Sequence, residues 1–411
     1  MKEWTATWSS KQNLNSLLFF LFVVFLPTQF GYHFWPEWAL VSGLRVDYFS
    51  PTITIIDLVV LLLFAVNLST FKIPAKKAGA VTAVAVVAVL AFAAANTYLS
   101  LSPMVAVYKW LKLSEFIFLG YWAYRNKTTV TEHISKPLTI ALGYTFLLGL
   151  TQFATGKTIG GIFYFLGERS FSAATPGIAL VNLFGGNFLR VYGTFPHPNV
   201  LAGFSIVGLL LILFFEKNKK LKLIGMGIAA ANVFLSFSLG AIIALVVCLV
   251  VYILRLYKPL VHIYKQIILG GVLISILLMP AGQRLLRGDV SLPETIEKRL
   301  RLSVVAGEAI SSSPVFGVGQ GNFISFIPGS TIEKNPWFLQ PVHNIFLLIV
   351  SETGTIGLIV FAGILISLKI KTNPKNLLLI LPILITGLFD HYWLTVNQGA
   401  FLFALVAGIL F

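Results

Sequence analysis

Arg284, Arg287, Arg299 and Arg301 crowd one polar stretch, residues 282–341, which ends at Pro341-Val342-His343-Asn344. A guanidinium is a planar fork of donors that can grip two oxygens of a phosphate or carboxylate at once. An imidazole with an ordinary pKa of about 6.5 can take a proton from a hydroxyl at neutral pH. Arginines and a histidine gathered in a chain that is otherwise apolar runs and short basic loops suit chemistry on an anionic ligand.

Three motifs carry these residues. RVYGTFPHPNVLAGF at 190–204 sets His197 between two prolines at the start of an apolar helix, where free backbone N–H groups and a positive dipole end favour an anion. KRLRL at 298–302 leads to SSSPVFGVGQGNF at 311–323, and VHNIFLLIVSETGTIG follows at 342–357. Each also has a plain structural reading. His-Pro-Asn makes a good loop-to-helix junction, and a histidine opening a helix serves equally as a cap. The glycines at 317, 319 and 321 can simply permit a turn, and Asn322 and Asn344 are at home as turn and cap residues.

The elements that must position them are membrane helices. Hydrophobic residues make up 57% of the 411 and charged residues 11%, against about 25% charged in ordinary soluble domains. At about 20 apolar residues per crossing, the expected fold is an all-α integral membrane protein with about twelve spans. They centre on 15–31, 52–70, 77–98, 103–124, 136–154, 199–216, 220–236, 239–255, 264–281, 343–368, 374–390 and 394–411. Residues 1–411 read as one polytopic domain with two long outer segments, 155–198, which dips into the interface, and 282–341. The first span lacks a small-residue cleavage site, so it reads as a span and not a signal peptide.

Of the 30 basic residues, 18 fall in short loops that alternate along the chain, and only Arg125 and Arg255 among them are arginine. That lysine excess places both termini in the cytoplasm. The opposite side carries ten basic residues, seven of them arginine. The net charge of +15 thus follows from topology and anionic headgroups, and calls for no nucleic acid. Cys248, the single cysteine, precludes an internal disulfide, and no cysteine–histidine or paired-acid spacing marks a metal site. Residues 295–312 show an amphipathic helical period. The fourth span holds Lys109, Lys112 and Glu115 on one face, with Lys112 and Glu115 as the expected pair.

In order and spacing, the three motifs resemble the O-antigen ligase and O-antigen polymerase superfamily of bacterial multi-spanning membrane glycosyltransferases. The resemblance covers mainly the C-terminal half. It departs at Ser236-Phe237-Ser238-Leu239-Gly240, where many relatives have Ser-Arg-Gly. It implies transfer of a glycan from a polyprenyl (undecaprenyl) diphosphate carrier to an acceptor hydroxyl, at the outer face of the bacterial inner membrane, without cofactor or essential metal. Arg190 and Arg299 would then stabilise the leaving diphosphate and His343 would be the base. Arg301, His197, Asn199, Asn322, Asn344 and Glu352 are the accompanying candidates for substrate binding. Partners implied are the carrier-linked donor, a glycan or lipid-anchored acceptor, and membrane lipids. Ligase and polymerase share the motifs. A transporter or flippase for a lipid-linked anion is the competing class, with Lys109, Lys112 and Glu115 as its best support.

Overall fold

The computed structural model describes residues 10–68, 76–255, 294–331, 336–368 and 374–411. Helices dominate. In chain order they are α1 (Ser10–Phe25), α2 (Ile55–Asn67), α3 (Lys76–Tyr98), α4 (Pro103–Arg125), α5 (Lys127–His133), α6 (Ser135–Thr155), α7 (Pro198–Phe215), α8 (Lys219–Leu235) and α9 (Leu239–Arg255). Within the polar stretch lie α10 (Glu294–Ser312) and α11 (Phe323–Phe326), and after it come α12 (Ile345–Ser367), α13 (Pro374–Gly387), α14 (Tyr392–Thr395) and α15 (Asn397–Leu410).

Eleven of the twelve expected spans coincide with helices, and the twelfth, 264–281, lies outside the described residues. Length and composition single out three of them as able to cross a bilayer: Ser135–Thr155, Pro198–Phe215 and Ile345–Ser367. Most of the others offer a shorter apolar window, such as Ile55–Asn67 or Asn397–Leu410, and α4 is interrupted by charge. A count of twelve therefore goes beyond what helix length supports. The expectation of an all-α chain also needs amending. Among the described residues are three two-stranded antiparallel sheets, β1 (Gly31–His33) with β4 (Thr52–Thr54), β2 (Leu40–Val41) with β3 (Leu44–Arg45), and β5 (Leu180–Leu183) with β6 (Gly186–Leu189). All lie in connecting segments, where short extended runs satisfy each other's backbone groups.

Local chemistry fixes where the important helices begin. Pro198 opens α7 at a position where a missing N–H costs nothing, and His197 caps it, its Nδ1 accepting from Asn199 N at 3.1 Å. Asn344 caps α12, its Oδ1 accepting from Phe346 N at 2.9 Å and Leu347 N at 3.1 Å. Thr54 and Asp57 form a reciprocal capping box at α2.

Two apolar clusters organise the packing. The larger joins α1, α2, α4, α6, α7, α8, α9, α13 and α15, and includes Phe22, Phe204, Leu211 and Phe401. The smaller packs the 35–49 segment against α10, α11 and the start of α12 through Phe49, Val305, Phe323 and Val342. Residues 295–312 form the expected amphipathic helix, with Leu302, Val305, Ala306 and Ala309 buried.

Helix α12 is broken at Gly354, whose φ of 65° and ψ of −166° are not helical. The break frees the carbonyls of Ser351 and Glu352, and the 314–321 loop takes them. Val318 N donates to Ser351 O at 2.8 Å, Gly319 N to Glu352 O at 3.0 Å, and Thr355 N to Pro314 O at 2.9 Å. A Cβ on Gly354 would collide with the Val315 carbonyl, and one on Gly317 with the Glu352 backbone. The glycines at 317 and 354 are thus a backbone interlock, the turn reading of that motif.

Candidate active site

Four segments far apart in sequence converge. The 189–199 segment is held by Gln152, whose Nε2 donates to Gly193 O at 2.9 Å and whose Oε1 accepts from Gly193 N at 2.9 Å. This fixes Arg190. Its Nε donates to Ser236 O at 2.6 Å and its Nη2 to Asn199 Oδ1 at 2.9 Å. Asn199 turns its other end to the turn after α13, where Nδ2 donates to Asp390 Oδ2 at 2.9 Å. Asp390 Oδ1 also accepts from His391 N at 2.8 Å. The neighbouring Tyr392 packs its hydroxyl into the space left by Gly203 of α7, where any Cβ would collide with it.

His343 stands beside this chain of contacts. Its ring lies 5.1 Å from that of His391, at 64°, and its buried Nδ1 has no hydrogen-bond partner among the described residues. His391 Nδ1 is 2.7 Å from Thr395 Oγ1, and Tyr48 covers its ring edge-on at 5.6 Å. Tyr192 covers His197 at 6.1 Å.

Arg299, on α10, makes no hydrogen bond or ion pair through its guanidinium among the described residues. Its positive charge nevertheless bears on Arg190, His197, His343 and His391. Burial, opposed by Asp390 and reinforced by the neighbouring cations, pushes His343 down to about 3. Burial likewise lowers His197 to about 4, and His391 shifts in the same direction. The expectation of an ordinary imidazole at position 343 is therefore wrong in magnitude: the ring stays neutral well below neutral pH. Asp390 is held below the usual carboxylate range by His391, His343 and His197 against its own desolvation, so it stays ionised.

Of the residues singled out from sequence, Arg190, Arg299, His343, His197 and Asn199 come together. Arg301 does not join them. It pairs with Glu297 at 2.6 Å on the same helix, with both side chains 39% exposed. Asn344 adjoins His343 as a cap and donates to Leu388 O at 3.2 Å. Asn322 ties the 317–323 loop to α4, its Oδ1 accepting from Ser102 N at 2.7 Å. Glu352 is buried under the same loop, 3.4 Å from Phe323 N. Arg284 and Arg287 lie outside the described residues. Lys112 pairs with Glu115 at 2.6 Å as expected, and also with Asp57 at 2.7 Å.

Asp390 and His391 escaped the sequence reading because they were absorbed into the boundary between two apolar spans. An Asp-His pair at such a boundary was the available signal. Spacing gave no hint of a metal site either, yet His343, Asp390 and His391 bring ligand atoms within 4.8 Å of one another. The charge of Arg299 on these rings opposes a dication there.

Residues 224–362 match the family model described as O-antigen ligase. Over that third of the chain the sequence is similar to O-antigen ligases. The match supports the O-antigen ligase and polymerase superfamily and includes Arg299 and His343. Arg190, Asn199 and Asp390 lie outside it, on segments that the fold brings back to it. No curated protein matches the chain.

Proposed function

We propose that this protein is an O-antigen ligase-type enzyme that transfers a glycan from a polyprenyl diphosphate carrier to an acceptor hydroxyl at the outer face of a bacterial inner membrane. The observation that carries this is the Arg190–Asn199–Asp390 chain ending beside His343, with Arg299, whose guanidinium has no partner among the described residues, bearing on the same groups. The lysine-rich loops support an orientation with both termini cytoplasmic and the arginine-rich segments outside.

In this mechanism the diphosphate lies between Arg190 and Arg299. The acceptor oxygen attacks the anomeric carbon as the bond from that carbon to the phosphate oxygen breaks, and the electron pair leaves with the diphosphate. The guanidinium groups meet the charge that develops there, which is where a preorganised donor contributes most. His343 takes the acceptor's proton, and Asp390 stabilises the imidazolium. A bound diphosphate offsets the positive field that depresses His343, so the imidazole gains basicity when the donor is present. No step requires a metal, since the arginines supply the positive charge.

Lys112 is enclosed between Asp57 and Glu115, so the best sequence support for transport has a structural account. Ligase and polymerase differ in the acceptor. Reconstitution with a short polyprenyl diphosphate glycan and a panel of acceptors, following release of the diphosphate lipid, tests both points. Absence of release with every acceptor would overturn the transfer reaction.

A further inference from the structure

Beside Arg190 runs a row of stacked aromatic rings. Phe188 stacks on Phe153 with centroids 5.7 Å apart and planes at 20°, and Phe153 stacks on Phe237 at 6.3 Å and 21°. The three come from β6, the last turn of α6, and the turn between α8 and α9. Near-parallel planes at these centroid separations are offset stacks, one of the two geometries that aromatic pairs favour. The row also leaves apolar surface open: Phe188 is 38% exposed, and Phe234 and Leu239, three residues before and two after Phe237 in sequence, are 56% and 72% exposed.

The row is tied to the guanidinium. Phe188 precedes Arg190 by two residues, and Phe237 follows Ser236, whose carbonyl receives Arg190 Nε at 2.6 Å. One hydrogen bond therefore fixes both the cation and the end of the ring row. Phe237 sits at a φ of 50°, in the left-handed region that a residue with a large side chain enters only at a cost. The turn holds that conformation while its ring lies on Phe153.

We propose that Phe188, Phe153 and Phe237 form the binding surface for the isoprenoid chain of the lipid carrier, with its diphosphate at Arg190. This rests on the polyprenyl diphosphate donor proposed above. An isoprenoid chain carries a planar, methyl-branched double bond in every unit, and flat units suit ring faces. Saturated acyl chains lack them, which separates the carrier from bulk phospholipid. The continuity of the row with Arg190 is what distinguishes it from an interfacial aromatic belt, which would need no anion-binding end.

The test is binding to the full-length protein in nanodiscs of saturated phosphatidylcholine and phosphatidylglycerol, with undecaprenyl diphosphate and geranyl diphosphate as probes. The wild type should bind the long chain more tightly. Phe153→Leu, Phe188→Leu and Phe237→Leu should each lower the long-to-short affinity ratio by about threefold to tenfold, the range of a ring contact. Leucine keeps apolar bulk, and the ratio cancels any general loss of folded protein. An unchanged ratio in all three variants would overturn the isoprenoid surface, whether or not glycan transfer occurs. A lowered ratio in a protein that transfers no glycan would instead uphold the surface and overturn the reaction.

Discussion

Asn199 and Asp390 share a 2.9 Å hydrogen bond across 191 positions of sequence. With its carbonyl oxygen on Arg190, the same amide joins a cation meant for a leaving diphosphate to a carboxylate meant for an imidazolium. Asn199→Ala removes both contacts and leaves a buried carboxylate short of a donor. Charge-assisted hydrogen bonds contribute about 1.5–3 kcal/mol, so kcat/KM for glycan transfer should fall by about 10- to 100-fold. An unaltered value in the reconstituted assay would separate Asp390 from the reaction.

Arg299 and Arg301 are two positions apart and should behave differently. Arg299→Ala should reduce turnover by about 100-fold or more, as expected for losing a donor to the developing charge. Arg299→Lys should recover only part of it, because a point charge lacks the planar fork. Arg301→Ala should change turnover less than about twofold, since its partner is Glu297 on an exposed helix surface. Parallel kinetics on the three variants decide it.

His343 and His197, at about 3 and about 4, lie below the value of about 6.5 for a free imidazole. Between those limits the unfolded chain binds more protons than the folded one, so stability rises with pH across that window. Thermal midpoints should therefore fall as pH drops from about 6.5 towards 4, and His197→Gln with His343→Gln should flatten the slope. Turnover at saturating donor should lose activity at a higher pH than kcat/KM does, because a bound diphosphate raises the base. Coincident breaks would argue against proton transfer to His343.

Lys112→Met strands Asp57 and Glu115 in a low-dielectric interior. Removing one partner of a buried ionic group costs about 3–5 kcal/mol, which should appear as a lower thermal midpoint in detergent. Adding Asp57→Asn and Glu115→Gln to Lys112→Met should restore most of the loss. Failure of that rescue would mean the cluster does more than hold α2 to α4.

Transfer should persist in saturating chelator, with the guanidinium groups supplying the charge. Strict dependence on an added divalent cation would reassign His343, Asp390 and His391, whose ligand atoms lie within 4.8 Å of each other, to metal binding.

One contact within a turn of helix was legible in the sequence, and contacts between segments were not. Lys112 and Glu115 announce each other at i and i+3, whereas Asp57 reaches Lys112 only through the packing of α2 on α4. His343 and Arg299 stood out as polar residues in polar surroundings. Asp390 sat at the edge of an apolar run, where hydropathy assigns it to a span end. The helix positions were readable from apolar runs, but the number of crossings was not, because the apolar windows in helices such as α2 and α15 are short. Arg301 misled because composition cannot tell a charge aimed at a site from one satisfied by its own helix.

The three hydrogen bonds that lock the 314–319 loop into the broken helix α12 are in register with Ser351, Glu352 and Thr355. Adding or deleting one residue between Pro314 and Gly319 would shift every amide past its carbonyl. Length variation among homologues should therefore be excluded from those six positions and tolerated beyond them. The interlock acts as a ruler that fixes the spacing between the arginine-bearing helix α10 and the segment carrying His343.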